Sequence, residues 1–328
     1  MQRLIEYINT IKPKVDNYIA KVLEGEPGRL YEAARHLPLK GGKRLRPALL
    51  MLVARALGGK EEEALPAAAS VELLHNFTLV HDDIMDRDEM RRGVPTVHVL
   101  YGEPLAILAG DLLYAKAYEA LLKTQKSPDL VKKMAEYLTW AAVTVAEGQA
   151  MDMMFEERWD VSEEEYLEMI AKKTGALFGA CGAIGALVAE RPDFAERMKE
   201  FGVILGKAFQ IKDDILSLVG DEKVTGKPKY NDLREGKKTL LVIRALRSLP
   251  PEEAEELKNI LSKEEKSFEE LERAASLIKK SGALEYAMKV AEQLEARAKE
   301  ILSQLEVVDK EAMDLINELL EFAVKREF

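Results

Sequence analysis

The stretch from Ser70 to Arg92, SVELLHNFTLVHDDIMDRDEMRR, limits what this chain can fold into more than any other. On a helix, where successive residues turn by about 100°, it divides into two unlike faces. Leu73, Phe77, Val80 and Ile84 form one apolar stripe. His75, Thr78, Asp82 and Asp86 form a polar stripe on roughly the opposite side, flanked by Leu79 and Asp83. Asp82, Asp83 and Asp86 repel one another, by about 0.2–0.5 kcal/mol for an exposed i,i+4 pair of like charges. A helix facing only water gains nothing from that arrangement. A divalent cation reverses the sign, because hard Mg²⁺ takes one or two carboxylates and shares its other positions with phosphate oxygens.

The rest of the chain reads as helix nearly from end to end. Amphipathic runs over 2–24, 29–36 and up to Gly58 are followed by a helix opened by Pro66. RRGVPT breaks that one, and further helices cover 104–122, 130–158, 163–172, 175–190 and 193–219. Ser162 with Glu165 three residues on is a capping-box signal for the start at 163. Residues 220–238 form one long polar loop, a length usually tied to function. The remainder is helical, with breaks near Pro250-Pro251, Ser267, Gly282 and Val308. No run of alternating β-branched residues is bounded by hairpin turns, and no Ser/Gly- or Pro-rich tract marks a linker. The expected fold is all-α, a helical bundle in one domain over 1–328.

A net charge of −10 argues against general nucleic-acid or anionic-membrane binding, though not against a local basic pocket. The one cysteine, Cys181, excludes an intrachain disulfide and fits a reducing compartment. In GACGAIGAL it reads as a small residue in a crowded segment rather than a nucleophile. The first helix has Pro13 and charges where a signal peptide needs an apolar core, and no apolar run approaches the ~20 residues of a membrane span. A cytoplasmic protein is expected.

A second acidic face lies in FGVILGKAFQIKDDILSLV, where Gln210, Asp213, Asp214 and Ser217 share one arc of an otherwise apolar helix. Buried like charges need a cation. Basic residues recur beside glycines at element boundaries: Lys43, Arg44 and Arg46 after Gly41-Gly42, Arg91 and Arg92 before Gly93, Lys172 and Lys173 before Thr174-Gly175. Lys227 follows Gly226, and Lys237-Lys238 follows Gly236. Backbone can approach an anion closely there, and Arg can grip phosphate with two donors. Each cation alone could simply satisfy a helix end. Their recurrence beside two carboxylate clusters points to a pocket for Mg²⁺ and two polyphosphates.

These pieces, in order, resemble the trans-isoprenyl diphosphate synthases, also called polyprenyl synthetases. They are Gly41-Gly42-Lys43-Arg44-Leu45-Arg46-Pro47, the aspartate-rich Asp82-Asp83-Ile84-Met85-Asp86, Arg91-Arg92-Gly93, Gly148-Gln149, Lys173-Thr174, Phe209-Gln210 leading to Asp213, Gly226-Lys227-Pro228 and Gly236-Lys237-Lys238-Thr239. The resemblance implies an all-α fold around a deep cavity, usually a homodimer, and head-to-tail condensation of isopentenyl diphosphate with an allylic diphosphate. It implies that Asp82 and Asp86 ligate two Mg²⁺ ions and Asp213 a third. Arg91, Lys173, Lys227 and Lys237 would bind the allylic diphosphate, with Gln210 and the Thr174 backbone oxygen along the developing carbocation. Lys43, Arg46, His75 and Arg92 would hold isopentenyl diphosphate. Departing pyrophosphate would take the final proton, so no dedicated base is sought.

Position 217 departs from the pattern: Ser stands where the family's second motif usually has a third aspartate. A hydroxyl can hold a metal-bound water but brings no charge, so weaker third-metal affinity is expected. Chain length in the family follows the residues four and five before the first motif, here Thr78 and Phe77. A bulky residue only at the fifth position resembles the archaeal pattern for geranylgeranyl diphosphate, with farnesyl diphosphate as the shorter alternative. On the wheel Phe77 lies ~140° from Asp82, which also suits an ordinary core role. Two rivals remain. A terpene cyclase shares fold and motif but needs neither GGKRLRP nor RRG. A non-catalytic helical subunit of a prenyltransferase has only Ser217 in its favour.

Overall fold

Apolar residues at helical spacing, punctuated by Pro, Gly and Ser, become a succession of α-helices in the computed structural model, which describes residues 1–220 and 228–325. These fall into two compact units. One comprises Met1–Ala142, Leu177–Gly202 and Leu305–Leu319; the other Val143–Ala176, Val203–Gln304 and Leu320–Phe328. The all-α expectation holds.

The first unit contains α1 (Gln2–Val22), α2 (Gly28–His36), α3 (Leu45–Ala56), α4 (Glu61–Asp86), α5 (Val97–Tyr101) and α6 (Glu103–Leu121). It also takes the first part of α7 (Pro128–Glu156) and most of α9 (Ala176–Val188). Its centre is α3, where Leu49, Leu50, Met51, Leu52 and Val53 are all buried. Each such side chain contributes roughly 1.5–3 kcal/mol over leaving it exposed. Cys181 is buried in a crowded stretch of α9 as expected: a Cβ on neighbouring Gly182 would sit 2.1 Å from the Met198 carbonyl oxygen.

Three local readings change in this unit. Helix α4 begins at Glu61, before the expected start at Pro66. Glu61, Glu62 and Glu63 suit the positive end of the helix, and Pro66 removes only one intrahelical bond that near the end. The two-stripe reading of α4 is half right. Leu73 and Val80 are buried, but Glu72, Asn76 and Asp83 are buried beside them, while Phe77 and Ile84 are half-buried. Finally, RRGV is a small hairpin rather than a plain break. β1 (Met90–Arg91) pairs antiparallel with β2 (Val94–Pro95). The two residues of its turn, Arg92 and Gly93, both have positive φ, as a type I′ turn requires.

The second unit contains the end of α7, α8 (Glu163–Ile170), the latter part of α10 (Ala195–Val219), α11 (Asn231–Arg234), α12 (Leu240–Ser248), α13 (Pro251–Leu261), α14 (Phe268–Lys280) and α15 (Ala283–Ser303). The end of α16 (Lys310–Lys325) belongs to it too. Ser162 and Glu165 form the expected capping box, and Ser267 with Glu270 forms a second at the start of α14. Its core gathers Tyr166, Ile211, Ile215, Leu241, Val242, Leu271 and Ile278. Between α8 and α9 the helix does not stop. It widens into a π-turn over Ala171–Gly175, where two helix ends were expected.

Candidate active site

In the first unit, Gly41 and Gly42 turn the chain with φ of +114° and +116°, and Arg44 follows in the left-handed region. Arg44 is fully enclosed. Its Nε donates to Asp16 Oδ1 at 2.7 Å, and its Nη1 to Glu72 Oε1 at 2.7 Å and to the Gly41 carbonyl at 3.0 Å; Nη2 donates to the Pro38 carbonyl. This arginine holds the turn. A buried guanidinium that spends four of its five N–H donors on two carboxylates and two carbonyls is a structural anchor.

Its neighbours are placed differently. Lys43 is exposed and Arg46 half-buried. Arg46 lies 4.4 Å over the Phe178 ring, with Nη1 3.3 Å from His75 Nε2. Burial first, and then the charges of Arg46, Arg92, Arg91 and Arg44, drive the His75 pKa well below its ordinary value. The ring is therefore neutral and accepts from Arg46. Arg92 donates from Nη1 to the Leu37 carbonyl at 2.8 Å and to Asn76 Oδ1 at 3.2 Å. Burial, with Arg44 and Arg91 adding repulsion, lowers its pKa to about 10 despite the opposing pull of Glu72. The structure thus brings Arg46, His75 and Arg92 together beside the Gly41-Gly42 turn, a cluster whose excess positive charge favours an anion.

At the end of α4 the three aspartates part company. Asp82 is half-buried and Asp86 exposed, while Asp83 turns inward. Arg91 Nε donates to both Asp83 oxygens, at 2.8 and 2.9 Å, and Nη2 approaches to 2.7 Å. Asp82 and Asp88 also act on the Arg91 charge. Thr78 donates to the His75 carbonyl at 2.6 Å, and Phe77 packs against His81 and Tyr114.

In the second unit the π-turn carries Lys173 and Thr174. A Cβ on Gly148 would lie 2.3 Å from the Lys173 backbone nitrogen, so only glycine lets α7 press on the turn there. Lys173 Nζ donates to Asp152 at 2.6 Å, and Thr174 Oγ1 to Gln210 Oε1 at 2.9 Å. Gln210 Nε2 then donates to Asp214 Oδ1 at 3.0 Å, and Tyr166 donates to the other Asp214 oxygen. Burial, reinforced by Asp232 and Asp213, pushes the Asp214 pKa up to about 8. Asp213 is half-buried on the same helix.

Lys237 pairs with Glu235 at 2.9 Å and feels Asp152 and Asp232. Lys238 donates to the Glu156 carbonyl at 2.7 Å beneath the Trp159 ring, a structural tie. Ser217 Oγ accepts from the Asp232 backbone nitrogen at 3.1 Å, and its carbonyl accepts from Tyr230 N at 3.1 Å. Its hydroxyl anchors the returning chain. Lys227 lies outside the described residues. Sequence reasoning missed Asp16, Glu72, Asn76, Asp152, Tyr166 and Asp232. The one available signal was a buried-side placement of polar residues on α4.

Residues 27–278 match the polyprenyl synthetase family model. The chain belongs to this family. It is 48% identical to the geranylfarnesyl diphosphate synthase of Aeropyrum pernix, over 95% of this chain and 99% of the relative. It is 46% identical to the geranylgeranyl diphosphate synthase of Sulfolobus acidocaldarius, over 98% of each. The crystal structure of geranylgeranyl pyrophosphate synthetase from Pyrococcus horikoshii superposes with a TM-score of 0.93 at 38% identity, covering 99% of both chains.

A polyprenyl synthetase handles its diphosphates with a divalent metal, and hard oxygen donors at the end of α4 suit one. No group of three or more His, Cys, Asp or Glu side chains able to hold a metal occurs among the described residues. Asp82 and Asp86, one turn apart at a helix end, are hard oxygen donors of the kind Mg²⁺ uses one or two at a time, keeping waters and phosphate oxygens for the rest. Asp83 and Asp214 are occupied by Arg91 and by Tyr166 with Gln210.

Proposed function

We propose that this polyprenyl synthetase is a short-chain trans-prenyltransferase. It condenses isopentenyl diphosphate with dimethylallyl, geranyl and farnesyl diphosphates, with geranylgeranyl diphosphate as main product. The observation that carries the reading is the Arg46–His75–Arg92 cluster at the Gly41-Gly42 turn, a concentration of cationic donors around a neutral histidine. Lys43, Arg46, His75 and Arg92 bind isopentenyl diphosphate in this proposal. Arg91, Lys173, Lys227 and Lys237 bind the allylic diphosphate, and Asp82, Asp86 and Asp213 hold three Mg²⁺ ions.

When bound, the metal stabilises the pyrophosphate that leaves as the allylic C–O bond ionises. The chain's own groups do the rest. Lys173, steadied by Asp152, presents a fixed ammonium to the leaving group. Gln210 is held between Thr174 and Asp214 with its amide dipole fixed, ready to face the carbocation without reorganising. Neutral His75 donates or accepts a hydrogen bond without adding charge to a cluster already rich in cations. Departing pyrophosphate takes the proton that restores the double bond.

The catalytic domain we propose spans 1–328. A homodimer is supported by the exposed apolar residues Val99 and Leu100 of α5 and Ile107, Leu108 and Tyr114 of α6, large side chains that a second copy could cover. No helix of the described residues is long and apolar enough to cross a membrane; a cytoplasmic location is proposed from composition. The test is incubation with labelled isopentenyl diphosphate, Mg²⁺ and each allylic primer. Label should enter a product dominated by twenty carbons and cease with a chelator. No incorporation with any primer would favour a non-catalytic subunit.

A further inference from the structure

The Arg92 guanidinium does not reach its place alone. Its Nη1 is held between the Leu37 carbonyl at 2.8 Å and Asn76 Oδ1 at 3.2 Å. Asn76 is completely buried on α4, and its amide has one possible orientation. Nδ2 donates to the Glu72 carbonyl at 2.8 Å and to Glu72 Oε1 at 3.3 Å, so Oδ1 must face Arg92. Glu72 is itself buried and fixed, because the same Oε1 accepts from Arg44 Nη1 at 2.7 Å. Arg44 in turn is anchored by Asp16 of α1 and by the carbonyls of Pro38 and Gly41.

Asp16, Arg44, Glu72, Asn76 and Arg92 therefore form one hydrogen-bonded chain within the first unit. The Gly42 end of the turn closes against it: a Cβ there would meet Arg44 Nη1 at 2.8 Å and Arg92 Nη2 at 3.0 Å. Burying a glutamate and an asparagine on a core-facing arc is costly unless every polar atom is satisfied. A simple packing role would be served as well by Leu at either position. What the polar pair adds is direction. It holds Nη1 between two fixed oxygens and so sets the plane of the guanidinium, whose Nη2 lies beside the Gly42 backbone.

We propose that Asn76, oriented by Glu72, is a positioning residue that sets the Arg92 guanidinium for the diphosphate of isopentenyl diphosphate. The proposal rests on the assignment of Arg92 to that substrate. A lost hydrogen bond to a charged group implies a change on the order of tenfold or more in the affinity that depends on it. A residue acting through Arg92 has no further effect once Arg92 is altered.

The experiment is a double-mutant cycle on the KM for isopentenyl diphosphate, using Asn76→Leu, Arg92→Lys and the pair. Asn76→Leu should raise that KM on the order of tenfold, with the allylic KM within about twofold and kcat changed far less than KM. On the Arg92→Lys background it should add nothing. Equal effects of Asn76→Leu on the wild-type and Arg92→Lys backgrounds, or an unmoved KM, overturn the positioning role. If Arg92→Lys itself leaves the KM for isopentenyl diphosphate unchanged, the substrate assignment fails and the proposal with it, and that outcome is visible separately. Should Asn76→Leu not fold by circular dichroism, Glu72→Gln takes its place in the cycle. It keeps the shape, weakens the hold on the Asn76 amide, and should move the same KM in the same direction by a smaller factor; no movement overturns the proposal.

Discussion

The ring of Tyr114 meets that of Phe77 edge-on, with centroids 5.2 Å apart and planes at 72°. Tyr118 follows at 5.4 Å, its hydroxyl 2.9 Å from Thr139 Oγ1, and His81 closes the other side of Phe77 at 4.9 Å. The side chain five residues before the first aspartate motif is thus neither core nor open surface. It is the leading ring of an aromatic stack joining α4 to α6.

In the proposed function, Phe77 would stop the growing isoprenoid, with the Tyr114 ring behind it. Phe77→Ala should lengthen the main product by one or more isoprene units, and Tyr114→Ala should do so to a lesser extent. Each loses two ring pairs, and an aromatic pair is worth about 0.5–1.5 kcal/mol beyond its buried area. Chromatography of the dephosphorylated products decides it; an unchanged distribution in Phe77→Ala overturns that role.

Asp83 is spent on Arg91, so its loss should act differently from loss of Asp82 or Asp86. Asp83→Asn leaves Arg91 with a weaker partner and should cost about 1–3 kcal/mol in urea unfolding, with a higher allylic KM. Asp82→Asn and Asp86→Asn should lower kcat and raise the Mg²⁺ requirement. Equal shifts of the Mg²⁺ requirement in all three would contradict the division of labour.

The pH dependence follows from His75. Its pKa is well below 6.5 in the folded state and near 6.5 unfolded, so the unfolded chain binds the proton more readily. The contribution is fully present above about pH 6.5 and is lost as pH falls, by up to ~1.4 kcal/mol per pH unit while the folded ring stays neutral. Urea midpoints between pH 7.5 and 5.5 should fall more steeply for wild type than for His75→Gln. Parallel slopes would mean that His75 does not carry the effect.

Ser217 bears on the second acidic face in two ways. Ser217→Ala removes the acceptor for Asp232 N and should cost about 1 kcal/mol. Ser217→Asp can keep that acceptor and adds a charge beside Asp213, so half-saturation by Mg²⁺ should move to lower concentration. Superimposable Mg²⁺ curves for wild type and Ser217→Asp would sink the idea.

Much of this was legible from spacing. The helices, the Ser162 capping box, both acidic clusters and the basic residues flanking glycine depend on local order, which the wheel reports. The wheel could not say that Asp83 faces Arg91, or that Glu72 and Asn76 belong inside. Their burial is made affordable by Arg44 and Arg92, distant in sequence and brought close only by the Gly41-Gly42 turn and the RRGV hairpin. The hairpin itself was hidden because arginine, rather than asparagine or aspartate, takes its first left-handed position. The second role of Ser217 was invisible for a similar reason, since its partner Asp232 lies on a short helix, Asn231–Arg234, inside the stretch read as one polar loop.

The π-turn at Ala171–Gly175 accommodates one residue more than an unbroken α-helix needs. Removing Lys172 from the chain would let the backbone return to ordinary helical bonding, a local gain. It would also swing Lys173 and Thr174 by about 100° about the helix axis, away from Asp152 and Gln210. Deletion scanning should therefore find a protein here that folds readily and turns over nothing, the reverse of the usual rule that indels in helices are first a problem for folding.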